Sequence, residues 1–341
     1  MSERWIERYQ APAWLLGGHA QTIWSAKAAW PGGPFSLPIG LAVPKWQRQR
    51  WETPDGDFID VDTIPGHADQ PQLTLFHGLE GSSASHYSLA FAASALDRGW
   101  TLAVPHFRSC SGEINRLARA YHSGDSEEAA WILTTMAALY PHHRRFAAGV
   151  SLGGNMLMKW AGIQGAATQS TVEAIAAIGA PLDLAAAGAA IGQGLNRWLY
   201  TPMFLRTMKR KAQAKWQQYP KLFDLDRVMR ASSLAAFDDA FTAPLHGFQG
   251  VEDYWHRSSA KPHLSHVRVR ALLLHARNDP FVPWRSVSCA AMSAAIELWQ
   301  PRDGGHVGFA QTTPHARWRG SLYPMAAGVM DWMINGGAFH G

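Results

Sequence analysis

AGVSLGGN, residues 148–155, sets a serine at position 151 between glycines at 149 and 153. A G-x-S-x-G pattern marks a nucleophile elbow only when a strand precedes it and a helix follows, because the motif works by forcing the serine into an exposed, strained turn. Chance alone gives about 0.2 such matches in a chain of this composition, so context decides. That context is present. Arg145–Val150 (RFAAGV) reads as a buried strand and Asn155–Ala161 as the beginning of a helix. Gly149 and Gly153 leave room for the turn where larger residues would clash. A helix amino terminus beside Ser151 would also favour developing negative charge.

Outward from this stretch, short apolar runs alternate with helical patterns, which predicts a mainly parallel sheet covered by helices. Gln49–Thr53 and Phe58–Ile64 read as a hairpin across Pro54-Asp55-Gly56-Asp57. Further strands are expected at Gln72–His77, Thr101–Phe107, Arg145–Val150, Val172–Ile178, Arg268–His275 and Ile296–Gln300, eight in all. Tyr87–Asp97 and Ser126–Leu139 read as helices, the second opened by the capping signature Asp125-x-x-Glu128. Residues 183–262 break the alternation. They are helical in composition and predict a cap inserted between two parts of one core, 1–182 and 263–341. The first 40 residues fit no strand–helix unit and are expected to wrap the core.

A hydrolytic serine needs an oxyanion donor, an acid and a base. LTLFHGLEGSS (73–83) is a strand running into a glycine-rich loop, which can aim a backbone N–H at a reacting carbonyl oxygen. The expected donors are the amides of Leu79 and of Leu152, the residue after the serine. Asp279 follows the strand in RVRALLLHARNDPFVP (268–283), where Pro280 disfavours helix and leaves the carboxylate at the strand's carboxyl end. His306 follows Gly304-Gly305 in the loop after the next strand. Asp279 lies 128 residues beyond Ser151 and 27 before His306. The first gap holds the cap and the second holds one helix and one strand, in the order serine, acid, histidine. Asp303 is the rival acid, but it shares the histidine's loop. His315 is the rival base and has no matching position after a strand.

Composition narrows the class further. The chain has 341 residues, 47% hydrophobic, with net charge +5 and no basic stripe in a nucleic-acid-binding module. Its two cysteines, Cys110 and Cys289, cannot make a disulfide framework and are read as reduced thiols of a cytoplasmic protein. MSERWIERYQ lacks the apolar core of a signal peptide. Val172–Leu195, the most apolar stretch, is too interrupted by Glu173, Pro181 and Asp183 to span a membrane. Neither HExxH nor paired Cys/His spacing occurs among the 16 histidines, so no metal site is expected.

With these residues in view, the chain resembles the α/β-hydrolase superfamily and, within it, the YheT-like branch. The resemblance is carried by GHAQTIW (18–24), TPDGDFID (53–60), HGLEGS (77–82) and YHSGD (121–125). It continues through GVSLGGNMLMKW (149–160), FDDAFTAPLHGF (237–248), ARNDPFVP (276–283) and GGHVGF (304–309), spanning almost the whole chain. It implies carboxylester-hydrolase-like chemistry, with some relatives acting as acyltransferases or lipases. Ser151, Asp279 and His306 fall on the family's triad positions. The substrate does not carry over.

The reading is therefore a serine esterase with no metal or organic cofactor. An acyltransferase would use the same residues, and a non-catalytic binding protein on this fold is the remaining alternative. Leu205, Met208, Ala212, Trp216 and Tyr219 recur at helical spacing in the cap, and Lys209, Arg210, Lys211 and Lys215 are expected opposite them. That basic face is either simply solvated or meets an acidic membrane or lipid ester. His122 is explained by a turn leading into the helix capped at Asp125, and His275 by burial in its strand. Neither joins the catalytic set. Oligomeric state is open.

Overall fold

The computed structural model describes residues 4–28, 44–312 and 320–336. Its strands are β1 (Gln47–Glu52), β2 (Phe58–Ile64), β3 (Gln72–Phe76), β4 (Thr101–Pro105), β5 (Arg145–Val150), β6 (Ala174–Ile178), β7 (Arg270–Leu274) and β8 (Ile296–Trp299). They form one sheet in the order β1-β2-β4-β3-β5-β6-β7-β8. The first two joins, β1 with β2 and β2 with β4, are antiparallel. All the others are parallel. This is the α/β-hydrolase architecture expected above, and each strand lies within a few residues of its expected place.

Period-two alternation in the strands feeds two hydrophobic layers. Leu73, Leu75, Phe146, Ala148, Val150, Leu272 and Leu274 face one layer. Phe76, Ala147, Ile175, Ala177, Ala271 and Leu273 face the other. Burying each large side chain removes it from water at about 1.5–3 kcal/mol. Short helices α1 (Trp5–Arg8) and α2 (Gly17–Ala28) precede the sheet. The first layer is closed by α3 (His86–Arg98), and the second by α4 (Ser126–Leu139) and α5 (Leu152–Gln164). Asp125 caps α4 as its spelling predicts, accepting from the Glu128 N–H. Glu128 does not reach back, because Arg108 Nε takes its carboxylate at 2.6 Å.

Between β6 and β7 come α6 (Leu184–Ile191), α7 (Gly194–Leu199), α8 (Thr201–Gln218), α9 (Leu225–Arg230), α10 (Leu234–Phe237), α11 (Ala243–Leu245) and α12 (Val251–Ser258). A π-helical turn, Asp238–Thr242, joins α10 to α11. This segment has a small apolar cluster of its own, including Leu205, Ala212, Phe223, Val228, Phe237 and Phe241. Its two ends meet. The Lys261 N–H donates to Leu182 O at 2.9 Å and the Leu184 N–H to Ser259 Oγ at 3.0 Å. The chain finishes with α13 (Trp284–Ser288) and with α14 (Tyr323–Asn335), which packs on the first layer.

One expectation is corrected. Lys211 and Lys215 do not share a solvated face with Lys209 and Arg210. Lys215 is buried, its Nζ donating to Asn115 O (2.8 Å), Leu117 O (2.6 Å) and Gln218 Oε1 (3.0 Å). Burial pushes its pKa down to about 8. Lys211 is ion-paired with Glu80 at 2.8 Å. Helical spacing sets both lysines beside the apolar stripe, and their long stems bury while their heads find carbonyl and carboxylate oxygens on the core.

Candidate active site

Ser151 follows the last residue of β5 in the middle of the sheet and immediately precedes α5, with φ 51° and ψ −117°. A positive φ is strained for a residue carrying a Cβ. Its N–H is held by Ile178 O at 2.8 Å, at the end of β6. The flanking glycines are required by close approach. A Cβ on Gly149 would lie 2.4 Å from Gly153 O, and one on Gly153 would lie 2.5 Å from His77 O.

The structure brings Ser151, His306 and Asp279 together. Ser151 Oγ lies 2.9 Å from His306 Nε2, and His306 Nδ1 lies 2.9 Å from Asp279 Oδ2. The other oxygen of Asp279 accepts the Phe281 N–H (2.7 Å) and the Val282 N–H (3.1 Å), so the buried carboxylate is fixed from two sides. With a carboxylate at Nδ1, the proton of a neutral imidazole sits there and Nε2 is left free to accept from Ser151.

Sequence reading missed what holds His306. The loop 304–306 is clasped by α2, nearly 300 residues earlier in the chain. Thr22 Oγ1 accepts the His306 N–H at 2.8 Å and donates to Gly18 O at 2.7 Å. Gln21 Oε1 accepts the Gly304 N–H at 2.8 Å, and Asn278 Oδ1 accepts the Gly305 N–H at 2.9 Å. Asp303 serves this clasp, accepting from Asn278 Nδ2 at 3.0 Å. The only signal lay in GHAQTIW, whose polar residues carry no periodicity that says what they touch.

The loop after β3 borders Ser151, since a Cβ on Gly78 would lie 3.3 Å from the Ser151 Cβ. Its peptide planes are pinned. His77 Nδ1–H donates to Gly78 O at 2.8 Å, while His77 Nε2 accepts the Phe107 N–H at 3.0 Å. Burial holds the His77 pKa down to about 3, so the ring is neutral. Gly78 O also accepts the Gly81 N–H at 3.0 Å. In a trans peptide the N–H points opposite the carbonyl, so the Leu79 N–H faces away from these donors. Among the described residues it donates to no protein acceptor. Leu152 opens α5, and its N–H is one of the first-turn donors that an α-helix leaves without a partner.

Aromatic rings wall the other side. Phe281 packs 4.4 Å from the His306 ring, Tyr200 meets Phe281 edge-on at 4.5 Å, and His19 stacks on Tyr200. Burial pushes the Tyr200 hydroxyl up to about 12. His122 packs instead on His246 and Tyr254, with its pKa lowered to about 3 by burial. His275 Nε2–H donates to Val282 O at 3.1 Å. His315 lies outside the described residues. Among the described residues no cluster of His, Cys, Asp or Glu could hold a metal ion, both cysteines are free, and no helix is long and apolar enough to cross a membrane.

Residues 71–312 match the family described as alpha/beta hydrolase fold. The chain belongs to that family. It is 37% identical to YheT of Escherichia coli strain K12 over 300 residues, which is 85% of each chain. It is 28% identical to human phospholipase ABHD3 across 89% of this chain and 74% of that one. Monoacylglycerol lipase of Saccharomyces cerevisiae is 22% identical across 84% of this chain and 64% of its own length. Among solved structures, an esterase of Pyrococcus furiosus has the same fold, with a TM-score of 0.54 and 15% identity over 87% of this chain and 97% of that one.

Proposed function

We propose that this α/β hydrolase cleaves carboxylic esters through an acyl-enzyme on Ser151. One observation carries the reading: serine, histidine and carboxylate lie in relay, 2.9 Å at each step, with the serine on a strained strand-to-helix turn. His306 Nε2 takes the Ser151 proton as Oγ attacks the ester carbonyl, and Asp279 stabilises the resulting imidazolium. The Leu79 and Leu152 amides receive the oxyanion, a contribution of about 10²–10³ in rate per donor. His306 then returns the proton to the leaving alkoxide. Water, deprotonated by the same imidazole, releases the acid. The relatives named phospholipase and monoacylglycerol lipase support ester bonds as the target.

The helical segment 183–262 acts in this reading as a cap that selects the ester, with Tyr200 and Phe281 giving it an apolar, aromatic wall. Short- to medium-chain acyl groups are the expected substrates. A lipid ester is the second reading, and a surface feature favours it. Leu195, Trp198, Leu199 and Met203 are exposed on α7 and the start of α8, Trp198 to 77%. Arg197, Arg206 and Arg210 accompany them, and none has a carboxylate partner among the described residues. A p-nitrophenyl ester series separates the two. Turnover that peaks at short to medium chains and disappears in Ser151→Ala is expected. Turnover rising steadily to long chains gives the lipid reading, and no turnover or fluorophosphonate labelling of the wild type ends the hydrolase reading.

A further inference from the structure

Glu80 follows the proposed oxyanion donor Leu79 and has a left-handed backbone, φ 56°, although it is not glycine. Such a conformation persists only where its surroundings hold it. Tyr121 holds it twice, its hydroxyl accepting the Glu80 N–H at 3.1 Å and donating to Glu80 Oε1 at 2.6 Å. The same Oε1 takes Lys211 Nζ at 2.8 Å. Lys211 belongs to α8, far from this loop in sequence, and its ammonium also lies 3.1 Å from Cys110 Sγ and over the Tyr121 ring. The Tyr121 ring in turn stacks on Phe107, which packs against His77, the residue that fixes the Gly78 carbonyl. A cation on the inserted segment is therefore linked to the Gly78 carbonyl and to the Glu80 amide, which flank the Leu79 residue whose N–H is to be aimed.

We propose that Lys211 and Glu80 form a latch through which the seating of α8 on the core positions the Leu79 amide for the oxyanion. Both are positioning residues and touch no reacting atom. With α8 seated, Lys211 neutralises Glu80 and leaves Tyr121 free to close on the Glu80 backbone. With α8 displaced, a strained residue keeps a largely buried carboxylate without its cation beside the donor, and the loop relaxes. Hydrolysis is then competent only under a seated cap. The latch rests on the proposed roles of Ser151 and Leu79.

The test compares Lys211→Met, Glu80→Gln, the double variant and Lys211→Arg with wild type on a short-chain p-nitrophenyl ester. Rates are taken per site titrated to completion with a fluorophosphonate, so that misfolded protein is not counted. Lys211→Met and Glu80→Gln should each lower kcat about 10- to 100-fold, the range expected when an oxyanion donor is misplaced rather than removed, with KM within about twofold. The double variant should be no slower than the worse single one, because both break one contact. Lys211→Arg should recover most of the rate. A trifluoromethyl ketone, which mimics the tetrahedral oxyanion, should lose affinity in proportion to kcat/KM. Unchanged kcat per titrated site in Lys211→Met, or losses that multiply in the double variant, overturns the latch. Should Lys211→Met not fold, Glu80→Gln and Lys211→Arg decide the matter alone. A wild type that takes no fluorophosphonate fells the hydrolase reading and the latch together; a labelled, active wild type with unimpaired variants fells only the latch.

Discussion

Gly153→Ala tests the tightness of the elbow. The added methyl would lie 2.5 Å from His77 O, 2.6 Å from Phe76 O and 2.8 Å from Phe76 C, all main-chain atoms that cannot rotate away. Opening the nearest contact to 3.4 Å, which most real Cβ contacts respect, separates α5 from the end of β3 by about 0.9 Å. Overpacking of this kind costs about 1–3 kcal/mol, and main chain on the opposing side puts this case near the upper figure. That corresponds to a fall of about 4 °C in Tm for a chain of this size. The proposed consequence for rate is larger. β3 leads directly into the loop carrying Leu79, and a misplacement of about 1 Å costs on the order of 10² in kcat. The assay is p-nitrophenyl butyrate hydrolysis per fluorophosphonate-titrated site, beside a thermal melt. A variant within threefold of wild type in kcat and within 1 °C in Tm would refute the argument, because the two main-chain segments would then not be in contact.

Asp279→Asn should reduce kcat by about 10⁴ with little change in KM, as loss of the orienting carboxylate does in serine proteases; ester turnover close to wild type would remove Asp279 from the mechanism. Thr22→Val leaves the His306 N–H without its acceptor, at about 1–3 kcal/mol, and should lower kcat about tenfold without affecting labelling at saturation. Acidification should act through buried histidines. Burial lowers the His122 pKa from 6.5 to about 3, so the unfolded chain binds a proton that the native chain refuses. Its contribution is therefore present above pH 6.5 and is lost as the pH falls toward 3. The stability advantage of wild type over His122→Asn, from urea unfolding, should shrink by about 2 kcal/mol between pH 7 and pH 5. Parallel pH profiles for the two proteins would contradict this.

The strands and the elbow were legible because their signals are local. Short, nearly continuous apolar runs such as RFAAGV report burial on both faces of a parallel sheet, and G-x-S-x-G reports a backbone angle two residues away. Asp279 and His306 were legible for a related reason, as each sits just past a readable strand. The clasp of Thr22 and Gln21 on the His306 loop was not, because it joins residues more than 280 positions apart with no repeating pattern. Lys211 and Lys215 misled for the opposite reason. Helical spacing set their direction only to within a quarter-turn, and their fate depended on oxygens supplied by irregular loops, Glu80 after β3 for Lys211 and the carbonyls of Asn115 and Leu117 between β4 and α4 for Lys215. The α14 helix escaped notice because small and apolar residues surround much of it, which blurs its 3.6-residue period.

The Lys261–Leu182 hydrogen bond has an evolutionary consequence. Because the chain leaves and re-enters the sheet at one place, 183–260 is a closed excursion on a fixed doorway. The entropy of such a loop grows only as the logarithm of its length, about 0.6 kcal/mol per doubling. Helices could be gained, lost or exchanged behind that doorway while Ser151, Asp279 and His306 keep their places in space. The sheet and the excursion can then diversify at different speeds, one constrained by chemistry and the other by whatever it admits.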